Sequence, residues 1–425
     1  MADGIGTIAL PLLAASLTSS PVLISGLTSL AYLPWLLFGL PGGALVDRLD
    51  RKRTMSVVNL VRAAVIALFA LLVLLRVASI PWLYAAAFVI GIGEVLYDSA
   101  ARAMLPQVLT RQELDRGNSW LTTEETVGQS FLGAPAGSAL FALQVAAPFI
   151  TNAVGFAVSG CLVLAIPGRF RPERTRATTL RAEIGDGMRW LWRHPLLRDL
   201  TIYRGVTAAL MSMATSLTVL YVLHSLHVPA GFYGLFMVAV GVGGVLGAVA
   251  VRPLTARLGR IRILWVAAGG GPAMCLLLGL FPEEWAASLL FVGLSAGVTI
   301  WNVLSMSLRQ AMIPDELLGR VLSAYRMALW GGIPVGALLG GLVASTTGVP
   351  RVFLISGAAQ LVVALLTYRV IKRNREAIEA AYDTSARLAA SSGGSPTTDE
   401  DSRGEGFRVQ PPGRGGRTEG ASSDA

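Results

Sequence analysis

Apolar residues in this chain form long uninterrupted runs, and polar residues collect in the short segments between them. A helix needs about 20 apolar residues to cross the hydrocarbon core of a bilayer. Twelve runs approach or exceed that length: Ala2–Thr18, Pro21–Val46, Thr54–Arg76, Pro81–Met104, Leu121–Leu143, Ala146–Ile166, Leu200–His224, Phe232–Val251, Ile263–Phe281, Trp285–Leu308, Val321–Ser345 and Val352–Ile371. The pattern predicts an all-α integral membrane protein with twelve transmembrane helices.

The last six runs repeat landmarks of the first six. An Arg-to-Pro segment ends the fourth and the tenth run, and a spaced Gly-Pro-Gly segment lies in the fifth and the eleventh. The shared order predicts two parallel six-helix repeats. We expect the glycines and prolines of the second pair of segments to act as hinges or packing surfaces: Gly133, Pro135, Gly137, Gly332, Pro334 and Gly336.

The repeats divide the chain into four parts. Residues 1–167 form the first bundle, 168–198 a linker, 199–375 the second bundle and 376–425 a tail. Ile184, Met188, Leu191 and Trp192 share one helical face, which predicts an amphipathic helix on the inner membrane surface; a solvated tether is the alternative. The tail is rich in Ser, Gly, Pro, Asp and Arg, and we expect it to be disordered.

Basic residues are concentrated in alternate loops. Arg48, Arg51, Lys52 and Arg53 lie between the second and third runs, whereas the loop after the ninth run carries Glu283 and Glu284. Short loops rich in Lys and Arg stay in the cytoplasm. The pattern therefore predicts a multi-pass protein of the cell membrane with both termini and the linker on the cytoplasmic side.

Composition supports a membrane protein and excludes several other classes. The 425 residues are 53% hydrophobic and 14% charged, against about 25% charged in soluble domains. Topology explains the net charge of +9, so we expect no nucleic-acid partner. Cys161 and Cys275 lie in apolar runs and indicate neither a disulfide framework nor a metal site. No phosphate-binding loop is present, and Gly241–Gly247 fits helix packing, so we expect no enzyme and no cofactor.

The loop between the second and third runs carries a known motif. Gly43, Asp47, Arg48, Arg51 and Lys52 match the pattern G-x-x-x-D-R-x-G-R-[RK], with Asp50 where glycine is common. This loop resembles the loop 2–3 signature of the major facilitator superfamily. The resemblance implies a charged cytoplasmic gate, in which Asp47 meets the N-terminal end of the eleventh helix. The other gate residues so implied are Arg48, Arg51, Lys52, Arg102, Gly319 and Arg320.

Three further segments resemble the drug and siderophore exporters of that superfamily, which include macrolide-efflux and enterobactin-export proteins. They are Tyr97–Gln107, Trp192–Leu200 and Arg309–Val321. The resemblance implies a monomeric secondary active transporter that exports a bulky amphipathic small molecule by proton antiport and alternating access. Its partners would be that substrate, protons and the lipid bilayer. An importer or lipid transporter of the same fold, or a non-transporting membrane sensor, is the alternative.

Ionisable residues inside membrane runs are the first candidates for function. Glu94, Asp98 and Arg102 are spaced i, i+4, i+8 along one stripe of the fourth run. If Asp98 pairs with Arg102, Glu94 is left as a lone carboxyl. A carboxyl away from water favours its protonated form, so Glu94 is a candidate proton carrier; a hydrogen-bonded structural acid is the alternative.

Other polar and aromatic residues in the runs complete the candidate set. Asp3, Asp98, Glu124 and Glu125 are further candidates for proton coupling, and the last two also for gating. Arg326 is expected to pair with a carboxylate of the other half or to contact an anionic substrate. The remaining candidates line a substrate cavity or simply pack between helices: Tyr32, Trp35, Tyr97, Asn152, Asn302, Tyr325 and Trp330.

Overall fold

The computed structural model describes residues 1–46, 49–109, 113–168, 170 and 180–382, and every regular element in these ranges is helical. Ten of the described helices are long and apolar enough to cross a membrane. The predicted all-α membrane fold is therefore confirmed. The other two of the twelve predicted runs, the first and the fifth, are helical but short or broken.

In the first half, the helices are α1 (Ala2–Leu17), α2 (Pro21–Val46), α3 (Arg51–Leu74), α4 (Ile80–Val108), α5 (Leu114–Glu125), α6 (Ala134–Leu143) and α7 (Ala147–Ala165). A helix of the linker follows, α8 (Leu180–Arg193). In the second half they are α9 (Pro195–Thr215), the single turn α10 (Thr218–Leu220), α11 (Tyr233–Leu258), α12 (Arg260–Leu280), α13 (Glu284–Met312), α14 (Asp315–Thr347) and α15 (Val349–Arg373).

The fifth run is not one continuous α-helix. A π-helical segment, Thr126–Gly133, separates α5 from α6. Pro135 follows directly at the start of α6 and has no N–H to donate to the carbonyl four residues back. Ala134 N–H donates instead to the carbonyl of Gln129, five residues back. π-Segments of this kind occur often at functional sites.

Several helices begin earlier or end later than the apolar runs predict. α3 begins at Arg51 rather than Thr54, because the Asp50 side chain accepts a hydrogen bond from Arg53 N at 3.1 Å and caps the helix. α13 extends to Met312, so Arg309 lies inside a helix, whereas the tenth apolar run ends at Leu308 and predicts a loop from there. α9 begins at Pro195, within the predicted linker.

α8 lies where the linker was predicted to form an amphipathic helix, but its apolar residues do not share one environment. Leu191 is 3% exposed and packs with Val321, whereas Trp192 is 55% exposed. Arg320 Nη1 lies 3.8 Å from Asp186 Oδ2. α8 is therefore held against the start of α14, and its position at the membrane surface remains a prediction.

The buried core is continuous at one end of the bundle and divided at the other. The largest buried cluster lies at the ends of the helices opposite the basic loops and contains residues of both halves, such as Leu12, Ile24, Leu217 and Phe353. Towards the basic loops there are three separate clusters, one in the first half, one in the second and one between α8 and α14. Among the described residues, the two halves therefore share a buried cluster only at the end remote from the basic loops.

The first residues of the predicted tail are helical and not disordered. Residues 375–382 are helical, and Ile378 and Tyr382 are buried against Leu304 and Leu308 of α13. Tyr382 Oη donates to Leu304 O at 2.8 Å. Residues 383–425, where disorder was predicted, lie outside the described residues.

Candidate functional site

A cavity of about 260 Å³ lies within the first half of the protein. Residues of α1, α2, α3, α4, α7 and the π-segment line it. Its polar lining includes Asp3, Arg62, Glu94, Gln129 and Asn152, and its aromatic lining Tyr32, Phe69, Phe149 and Phe156. Apolar walls with a few converging polar groups are typical of small-molecule sites.

Arg62 of α3 is the central cation of this cavity. Its Nη2 donates to Asp3 Oδ1 at 2.7 Å, and its guanidinium lies 4.0 Å from the centroid of the Phe156 ring. The Arg62 side chain is 4% exposed and that of Asp3 is 40% exposed. The stem of Arg62 packs on Gly93, where a Cβ would lie 2.9 Å from Cγ and Cδ of the arginine. Glycine at this position lets α4 approach the arginine closely.

Glu94 of α4 lines the same cavity and interacts electrostatically with Arg62, Asp3 and Asp98. Two predicted proton-coupling residues, Asp3 and Glu94, therefore share one site with a buried arginine. With both carboxylates ionised, these three groups carry a net charge of −1, from two anions and one cation. One proton on either carboxyl makes the set neutral.

The other predicted acidic residues lie outside the lining of the cavity. Arg102 Nε donates to Asp98 Oδ2 at 2.9 Å, as their spacing predicts. Glu124 and Glu125 are exposed at the end of α5, and Glu124 Oε1 lies 3.7 Å from the amino group of Met1. The structure thus places these three carboxylates between the cavity and the basic-loop end of the first half.

The predicted cavity residues separate into two groups. Tyr32 and Asn152 line the cavity, and Asn152 Nδ2 donates to Ala2 O at 3.0 Å. Tyr97 lies beside the cavity, within hydrogen-bonding reach of Asn59 and Ser159. These residues belong to the first half of the protein.

The other predicted cavity residues lie at or beyond the contact between the halves. Trp35 of α2 and Trp330 of α14 meet edge to face, with ring centroids 3.8 Å apart. Asn302 and Arg326 are exposed. Tyr325 stacks on a buried arginine of its own half, Arg309, 3.8 Å from the ring centroid.

The signature loop is described only in part, because Asp47 and Arg48 lie outside the described residues. Arg51 Nη1 donates to Ala103 O at 2.8 Å, and Lys52 Nζ donates to Ile166 O at 2.6 Å. These carbonyls lie in the last turns of α4 and just after α7, where the helix dipole favours cations. Both cations therefore bind helix ends of their own half.

No ion pair between described residues joins the two halves. The predicted gate residue Arg320 faces Asp186 of α8, and a Cβ at Gly319 would meet no atom within 4 Å. Arg102 pairs within its own helix. The role of these residues in a gate stays a prediction.

The predicted hinge residues lie at close contacts between helices. On α14, glycines four residues apart face the backbone of α9: a Cβ at Gly332 would lie 2.9 Å from Gly205 O, and a Cβ at Gly336 would collide with Ala209 O. In the first half, a Cβ at Gly133 would lie 2.8 Å from the Cα of Gly4 in α1. Pro334 lies inside α14.

Arg62, which pairs with Asp3 at the cavity, was not predicted from the sequence. The available signal was a single arginine well inside the third run, eight residues after its start, where a charge is expensive and usually functional. Arg309 was missed for a related reason, since its position near the end of a run was taken to be a loop.

The chain resembles known transporters over most of its length. The family model described as "transmembrane secretion effector" matches residues 4–391. The multidrug efflux pump Tap of Mycolicibacterium fortuitum is 26% identical over 366 residues, which cover 83% of this chain and 88% of Tap. Macrolide efflux protein A of Streptococcus pyogenes is 22% identical over 360 residues, or 82% and 87% of the two chains.

A solved structure shows the same fold. A point mutant of the nucleoside transporter NupG superposes with a TM-score of 0.69 at 12% identity, over 86% of this chain and 95% of NupG. Identity this low shows the fold alone. Together with the family match, it places the twelve predicted membrane runs in a known transporter architecture. The chain belongs to the transmembrane secretion effector family of the major facilitator superfamily of transporters.

Proposed function

We propose that this transporter exports a bulky amphipathic small molecule, such as a drug, antibiotic or siderophore, in exchange for protons. The observation that carries the proposal is the charged group Asp3, Arg62 and Glu94 in a largely apolar cavity. Efflux proteins among the relatives support the direction of transport. The cavity volume of about 260 Å³ is below the roughly 300–1,000 Å³ of drug-sized sites, so a bulky molecule would place only one end there.

The proposed proton step uses the charge balance of the three groups. Arg62 holds Asp3 directly, and Glu94 lies within electrostatic range of both. When a proton neutralises Glu94, the net charge of the group falls to zero and its attraction for a cationic or polar end of the substrate weakens. Proton binding and substrate binding then oppose each other, which is the requirement for antiport.

The uneven core supports alternating access. In the part of the chain that the structure describes, the halves share a continuous apolar core only at the end opposite the basic loops. The positive-inside pattern assigns that end to the outside. We infer that the structure is the state closed to the outside. In the proposed cycle, the bundles 1–167 and 199–375 rock about the cavity, and the gate charges close the cytoplasmic end in the other state.

Transport by the reconstituted full chain tests the proposal. In proteoliposomes, we expect an imposed proton gradient to drive ethidium movement, and a protonophore to abolish it. We expect Glu94→Gln to lose gradient-driven movement while it retains ethidium exchange without a gradient, because only proton coupling is removed. The control is Glu283→Gln, an exposed acid outside the cavity.

Three results would contradict parts of the proposal. Ethidium movement that ignores the proton gradient in the wild type would exclude antiport. Normal gradient-driven movement by Glu94→Gln would remove this residue from the proton pathway. Accumulation of ethidium in intact cells on expression, instead of its loss, would favour an importer.

A further inference from the structure

The second half contains a buried arginine whose charge has no acidic partner among the described residues. Arg309 of α13 is 2% exposed. Its Nη1 donates to Ser305 O at 3.0 Å, and the ring of Tyr325 covers one face of its guanidinium. Buried cations are normally paired, because an unpaired charge away from water is unfavourable. Arg309 therefore lacks the partner that its burial calls for.

The unpaired atoms of Arg309 form one edge of the guanidinium. Nε and Nη2 are both buried, and neither has a hydrogen-bond partner in the part of the chain that the structure describes. Their N–H bonds run parallel, and this fork matches the two oxygens of a carboxylate or phosphate group. A single-atom anion such as chloride cannot satisfy both donors in the same way. The edge formed by Nε and Nη2 of Arg309 thus favours an anion that offers two oxygens.

A second arginine adds positive charge at the same place. Arg204 of α9 interacts electrostatically with Arg309, and its Nε is also buried without a hydrogen-bond partner among the described residues. Two like charges within electrostatic range of each other are unfavourable, and an anion near both would relieve the repulsion. The two arginines lie on different helices, α9 and α13.

We propose that Arg309 and Arg204 form a binding site for a carboxylate or phosphate group. The ligand is either a free small anion or the headgroup of an anionic lipid, which offer the same oxygens. This site lies in the second half and is cationic, whereas the cavity of the first half has an excess of carboxylate. It is therefore separate from the proposed proton site and goes beyond the proposed function.

Binding by the purified full chain tests the site without any transport measurement. In detergent, the melting temperature and titrations are measured with sodium phosphate, benzoate and chloride at equal ionic strength. We expect phosphate or benzoate, but not chloride, to stabilise the wild type. Arg309→Lys keeps the charge but loses the parallel fork, and we expect it to weaken oxyanion binding at least about tenfold. Arg257→Lys, exposed at the end of α11, is the matched control and should bind as the wild type does.

Nanodiscs distinguish the two sources of the anion. Stabilisation by phosphatidylglycerol relative to phosphatidylcholine, without a response to soluble anions, would assign the site to a lipid headgroup. If Arg309→Lys does not fold, Arg204→Gln replaces it, with weaker binding expected.

Two results would overturn the proposal. One is a wild type that responds to the oxyanions no more than to chloride, and to phosphatidylglycerol no more than to phosphatidylcholine. The other is a variant at Arg309 or Arg204 that responds as the wild type does. Because no substrate is transported, failure here leaves the exporter proposal standing, and failure of ethidium transport leaves the anion site standing.

Discussion

The ion pair between Asp3 and Arg62 is unequally buried, and this predicts unequal effects of removing its two members. Arg62 is 4% exposed and Asp3 40% exposed. Asp3→Asn leaves a buried guanidinium whose Nε already has no hydrogen-bond partner among the described residues. Arg62→Met leaves a carboxylate that water still reaches. We therefore expect Asp3→Asn to destabilise the protein more than Arg62→Met.

The magnitudes follow from the surroundings of each group. Removing one partner of a fully buried pair costs about 3–5 kcal/mol. Glu94 and the Phe156 ring still interact with Arg62 in Asp3→Asn, so we expect a loss of about 2 kcal/mol in the free energy of unfolding. Methionine keeps the apolar stem against Gly93, so we expect Arg62→Met to cost about 1 kcal/mol. The double variant should cost about 1 kcal/mol or less, because no unpaired guanidinium remains.

A double-mutant cycle checks these values. Unfolding is followed by circular dichroism in mixed micelles of dodecyl maltoside and dodecyl sulfate, with the purification tag at the C-terminus. The control is Glu379→Gln, which removes an exposed pair with Arg375 and should cost at most about 0.5 kcal/mol. Two outcomes would contradict this prediction. One is an equal loss in the free energy of unfolding for Arg62→Met and Asp3→Asn, and the other is a double variant whose loss is the sum of the two.

Two further predictions test the packing of the helices and the closed end. Gly336→Ala should destabilise the protein by about 1–3 kcal/mol, because its Cβ would collide with Ala209 O, whereas Gly269→Ala, with open space around its Cβ, should be neutral or stabilise by up to about 1 kcal/mol; equal unfolding midpoints in the micelle assay would contradict this. In a background without the native cysteines, Ser25→Cys with Gly341→Cys places two thiols across the closed end. Oxidation of the two thiols to a disulfide should stop ethidium transport, and reduction of the disulfide should restore it. Undiminished transport by the cross-linked protein would show that this end need not open.

Periodicity and length predicted the fold well because the bilayer imposes them. The second run, Pro21–Val46, and its helix have the same bounds. Helix ends were predicted less well, since they depend on local hydrogen bonds. Asp50 begins α3 by capping it, and this effect is not visible in a hydrophobicity pattern. The break in the fifth run likewise arises from Pro135 and π-type hydrogen bonding.

The candidate site was predicted only in part, for a different reason. Asp3, Glu94, Tyr32 and Asn152 line the cavity, and a polar residue inside an apolar run was enough to select them. The partner of Asp3 lies 59 residues away in sequence, and no spacing rule identifies such a pair. Trp35 and Trp330 were chosen for their size, but they meet each other at the contact between the halves.

In the proposed rocking cycle, the one-sided core favours the conformation in which the helix ends opposite the basic loops are closed. The shared cluster holds the ends opposite the basic loops together, whereas the clusters that the described residues form near the basic loops lie within one half or between α8 and α14. In a rocking cycle, the opposite conformation must then be supported by charge, lipid or bound ligand and not by burial. Larger apolar side chains at the helix ends near the basic loops would therefore shift the conformational balance towards the state closed at those ends. They would change the rate of turnover without contacting the substrate.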